Sequence, residues 1–143
     1  HPPDVPFGGG TSAFRIREAF ADHGVPARIV HSGWFGIAAP RAWEHLARAV
    51  AHGLPAVVCV DAGALGGAAW HAHWCVVTGI TGDTVEIENP VEAPRLPIAV
   101  FRGAWACRHL PWPHHHCAVI PAAPERPAAA PAIALETLPD PAT

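Results

Sequence analysis

The chain has no lysine, methionine, tyrosine or glutamine among its 143 residues. Without lysine, strong positive charge rests on nine arginines, which are scattered and form no basic stripe. That excludes the electrostatic footprint of a nucleic-acid binder. Long apolar runs are missing too. The longest, residues 54–60, stops at Asp61 and is far too short to span a bilayer, so no membrane segment is expected. Charged residues are scarce, at 15%, while half the chain is apolar, which excludes a wholly disordered polypeptide. Cys59, Cys75, Cys107 and Cys117 include no Cys-Xaa-Xaa-Cys pair. They read as buried thiols, and spacing alone does not support a Cys107–Cys117 disulfide.

What is present is enough apolar sequence for one domain with a core. Arginine in place of lysine, with abundant Ala, Pro and Gly, suggests a GC-rich bacterial genome. Eleven histidines make the charge swing between pH 5 and 7. The sequence begins at His1 and carries no signal peptide, so it reads as a processed or excised piece.

Residues 1–10 read as a loop or linker. Thr11 or Ser12 caps a first helix to about His23, with Phe14, Ile16, Ala19 and Phe20 as its apolar face and Gly24 as its stop. A short strand follows over 25–30, then a loop with Trp34 and Phe35 packed at its base. Pro40 opens a second helix to about His52, with Trp43, Leu46, Ala47 and Val50 as its stripe. Residues 55–60 form a buried central strand. Residues 61–69 form a Gly/Ala-rich loop. Residues 72–81 and 83–88 form a hairpin turning at Gly82-Asp83. A helix spans about 97–105 and a last strand 117–120. The Pro/Ala-rich stretch 121–143 is expected to be a disordered tail. This order gives an α+β fold, an antiparallel sheet packed against helices.

The hairpin carries the chemistry. Its first arm holds His73, and its second ends at Asn89, the lone asparagine, just before Pro90. The two come side by side, so the Asn89 side-chain oxygen can accept a proton from the ring and fix its tautomer. A plain Asn-Pro turn is the competing reading. His71, His73 and Cys75 share one strand face, about 6.6 Å apart per step. Cys75 is therefore too far from His73 to be its nucleophile. Trp70 and Trp74 flank His73 and either line a peptide groove or simply pack. Asp61 either contacts substrate or, as the simpler reading, is an exposed strand-end carboxylate, and Glu88 points away from the site.

The run from Gly53 to Asp61, a Gly-rich loop, His73 to Ile80, Gly82-Asp83-Thr84-Val85 and Asn89-Pro90 resembles papain-like cysteine peptidases. Within them it looks like the bacteriocin-processing, double-glycine leader peptidase group. Trp43 and Leu46 fit the family's preceding helix, and Phe101 to Trp105 fits its later one. The resemblance covers residues 11–120 and implies a papain-like fold. It implies His73 as general base, Asn89 as the orienting partner where the family more often has Asp, a peptide substrate and no cofactor. The family's nucleophilic Cys opens a helix upstream, with a Gln nearby. This chain has no Cys before Cys59 and no Gln. The expectation is a domain incomplete at its N-terminal side, inactive alone, whose uncovered apolar face favours a homodimer. Thr11 and Ser12 read as caps, not substitute nucleophiles. A peptide-binding pseudoenzyme is the alternative. So is a zinc-binding domain using His71 and His73, with a third ligand from His114, His115 or His116. That last cluster follows Pro113 and reads first as a solvated loop.

Overall fold

Thr81 and Thr84 face each other across Gly82-Asp83, and from this turn the sheet is built outward. Gly82 sits at φ 58, while Asp83 keeps a negative φ, the pattern of a II′ turn whose first central position favours glycine. The computed structural model describes residues 11–66, 71–110 and 114–122. The expected leading loop, Trp70 and nearly all of the expected tail lie outside these residues.

The elements are α1 (Ala13–Asp22), β1 (Ala27–Val30), α2 (Ala39–Ala51), β2 (Ala56–Asp61), a 3₁₀ turn (Ala62–Leu65), β3 (Ala72–Thr81), β4 (Thr84–Glu88), β5 (Arg95–Pro97), α3 (Ile98–Trp105) and β6 (Ala118–Pro121). The strands form one antiparallel sheet in the order β1-β6-β2-β3-β4-β5. The protein is α+β. One sheet face, with Val58, Val60, Cys75, Val77, Val85 and Ile87, is covered by α2 and α3 through Leu46, Val50, Phe101 and Trp105. The other, with Cys59, Cys117 and Val119, is covered by α1 through Ala13, Ile16 and Phe20.

Local sequence explains most boundaries. Ser12 caps α1 by accepting from the Arg15 N–H. Gly24 and Gly53, both at positive φ, follow the first two helices, as a left-handed stop requires. The apolar stripe of α1 runs through Ala13, Ile16 and Phe20. Phe14, expected on that stripe, is exposed, with the Arg17 guanidinium over its ring. Trp34 and Phe35 are corrected likewise: 79% and 99% exposed, they do not pack under their loop. All four cysteines are buried and unbridged.

Two features have no periodic signature. β5 is three residues between Pro94 and the helix, with only Leu96 buried. Such a short, proline-bounded segment suits a sheet edge. In β3, the register shifts by one between Val77 and Gly79, leaving Thr78 as the extra residue of a bulge. Val77 and Ile80 are an odd number of residues apart, yet both pack into the same core. Only the bulge reconciles that with strand alternation.

Candidate functional site

The antiparallel registers bring five chain segments to one end of the sheet. Val30 lies opposite Ala118, Asp61 opposite Ala72, and β4 finishes beside the first half of β3. His73, Asn89, Asp61, Ser32 and His116 all belong to this end.

His73 is half-buried on the face shared with Val60 and Cys75. Its Nε2 lies 2.7 Å from the backbone carbonyl oxygen of Asn89. The expected acceptor was the Asn89 side-chain oxygen. Instead, the side-chain Nδ2 donates to the Trp74 carbonyl at 2.9 Å. The cause is backbone geometry. Asn89 adopts φ 59, a left-handed conformation that asparagine tolerates better than most residues, and this turns its carbonyl toward the imidazole.

The chemical consequence is definite. A carbonyl oxygen can only accept, so Nε2 must carry a proton. In the neutral ring the lone pair then resides on Nδ1, which has no hydrogen-bond partner among the described residues. The ring thus has one defined tautomer, with Nδ1 as its acceptor nitrogen.

The surrounding candidates sort differently. Trp74 points to the opposite face, where its Nε1 donates to the Thr11 carbonyl at 2.6 Å and its ring lies 6.3 Å from that of His114. It neither shields His73 nor shares its face. His71 is exposed just before β3. Asp61 is no open carboxylate. It is 4% exposed and caps the 3₁₀ turn, accepting from the Gly63 N–H at 3.0 Å. Cys75 is buried, and burial pushes its thiol up to about 12, far from a working nucleophile. Burial also pushes up Cys117. The Cys59 thiol is raised first by its hydrogen bond with Cys107, then by burial.

The three consecutive histidines are not a solvated cluster. His114 is buried beside Trp74, and His115 Nε2 donates to the Leu110 carbonyl at 2.8 Å. His116 turns the other way, edge-on to the buried Trp105 ring at 5.1 Å. No three His, Cys, Asp or Glu side chains among the described residues come together as a metal-holding group. His116 Nδ1 lies 2.7 Å from Ser32 Oγ. Nothing local in the sequence pairs these residues, 84 positions apart.

Three imidazoles sit below their ordinary value. Burial is the first cause for His31, His45 and His116; His115 adds to it at His31, and arginines add at the other two. The unfolded chain therefore binds protons first as pH falls. Stability is full above about pH 6.5 and declines below it. The unfolding midpoint is expected to drop between about pH 7.5 and 5.5, and less so in a His31→Asn/His116→Asn double variant. Thermal melts followed by circular dichroism at matched ionic strength check this.

Comparison with known protein families, with curated proteins and with solved structures gives no match to this chain.

Proposed function

We propose that this chain is the base-bearing part of a papain-like cysteine peptidase-type domain acting on peptides. One observation carries the reading: the Asn89 carbonyl fixes the His73 tautomer and leaves Nδ1 open at the sheet end. In this reading Nδ1 takes the proton of a thiol, and the ring later returns it to the leaving amine. The four cysteines of the chain are buried and cannot serve. The attacking thiol is then supplied by a polypeptide segment other than these 143 residues.

The test uses the product of the whole reading frame and a peptide carrying a thiol-directed electrophile. Labelling is expected at a cysteine outside this chain, read by peptide mass spectrometry, and is expected to vanish in His73→Ala. Labelling that persists in His73→Ala would overturn the proposal. The burial of all four thiols also favours a second reading, a domain that binds peptide without cutting it. Saturable peptide binding with no labelled cysteine would select that reading.

A further inference from the structure

We propose that the cleft between Ser32 and the last turn of α3 binds an oxyanion, a carboxylate or a phosphoryl group, through Arg102 and Arg108. The cleft holds about 540 Å³ and is lined by Ser32, Arg102, Ala106, Arg108, His115 and His116, with Gly103 at its wall. No carboxylate lines it among the described residues, and neither arginine has an acidic partner within ion-pair distance there. Two arginines lining one cavity without a counter-charge make a site short of an anion.

The cleft is built rather than incidental. The Ser32 N–H donates to the His115 carbonyl at 2.8 Å, and its hydroxyl lies 2.7 Å from His116 Nδ1. These bonds tie the end of β1 to the entry of β6. His116 is held at φ 47, a left-handed conformation costly for a non-glycine residue. The Trp105 ring and a 3.0 Å bond from the His116 N–H to the Trp105 carbonyl hold it there. The Arg102 guanidinium lies 4.9 Å above the centre of the Trp43 ring, which limits its wandering. Arginine's planar fork suits the paired oxygens of carboxylate and phosphate.

The end of a helix would ordinarily repel an anion. Here three of its last four carbonyls are already engaged. Arg102 accepts from Ala106, Ala104 from Cys107, and Trp105 from His116. The local field agrees with this picture: after burial, Arg102, His115 and Arg108 all act to hold His116 below its ordinary value. An anion in the cleft would meet the same two arginines. This inference does not depend on the chemistry of His73, two strands away in the sheet order.

Nitrogen-15 NMR of the arginine Nε–H groups tests it, with inorganic phosphate and N-acetylglycinate as probes and sodium chloride as the ionic-strength blank. Saturable shifts are expected at Arg102 and Arg108 with at least one probe. Phosphate alone, acetylglycinate alone or both saturating supports the site and says which group it takes. Arg108→Gln alters an exposed side chain and leaves the Trp43 contact intact. It is expected to weaken binding about tenfold or more, the loss of one charged hydrogen bond. Neither probe saturating, or Arg108→Gln binding as well as the unaltered protein, would overturn the proposal.

Discussion

Trp105→Ala is expected to lower unfolding free energy by about 3–5 kcal/mol, the range for deleting a large buried aromatic. Trp105 is fully buried at the end of α3. Its ring stacks on Phe101 at 5.8 Å and meets Trp43 edge-on at 6.4 Å. Its Nε1 donates to the Cys117 carbonyl at 2.9 Å. That carbonyl also accepts from the Cys59 N–H, so deleting the indole does not orphan it. The loss is therefore mainly cavity and ring contact, not an unpaired polar group. Trp105→Phe keeps much of the stacking and is expected to lose less than half as much. Urea unfolding of both variants measures the difference. A melting midpoint lower by roughly 10–20 °C should accompany the alanine change. Equal losses in the two variants would instead place the stabilisation in the Nε1 bond.

Trp105 also shows why local sequence reaches only part of this molecule. Its place in a helix is legible from Phe101 and the flanking apolar residues. Its contact with His116 is not, because the chain travels through residues 106–115 before returning. The same division runs through the fold. Helices ended by Gly24 and Gly53, the central strand and the Gly82-Asp83 hairpin follow from short-range spacing and turn chemistry. The bulge at Thr78 does not, since strict alternation from Val77 would place Gly79, not Ile80, toward the core. β5 escapes because three residues, the last of them Pro97, carry no period. Asp61 looked exposed only because its partner, the Gly63 N–H, belongs to a 3₁₀ turn hidden in a Gly/Ala-rich run. The Ser32–His116 pair depends wholly on β1 and β6 lying side by side. Long-range pairing and left-handed backbone at residues other than glycine, as at Asn89 and His116, are the two things residue pattern does not record.

Asn89 joins both limits, and it carries the last prediction. Asparagine here does two jobs with two different groups. Its amide Nδ2 donates to the Trp74 carbonyl, fastening the end of β4 to β3. Its own carbonyl, swung round by the left-handed φ, accepts from His73. An ionised aspartate has no donor. Asn89→Asp would set a carboxylate against the Trp74 carbonyl, losing one hydrogen bond and adding repulsion. The expected cost is about 1–3 kcal/mol, the range for a polar group whose partner is removed. The larger effect is on His73, because repulsion from the Trp74 carbonyl pushes the turn that presents the residue 89 carbonyl out of line. Asn89→Gly loses the same amide bond but reaches positive φ without strain. Nitrogen-15 spectra of the His73 ring should therefore show a proton on Nε2 in the unaltered protein and, for the most part, in Asn89→Gly. Asn89→Asp should show a mixture of tautomers. If Asn89→Asp keeps both the stability and the single tautomer, a carboxylate against the Trp74 carbonyl does not displace the turn. If Asn89→Gly scrambles the ring as fully as Asn89→Asp, the side chain rather than the backbone conformation sets the base.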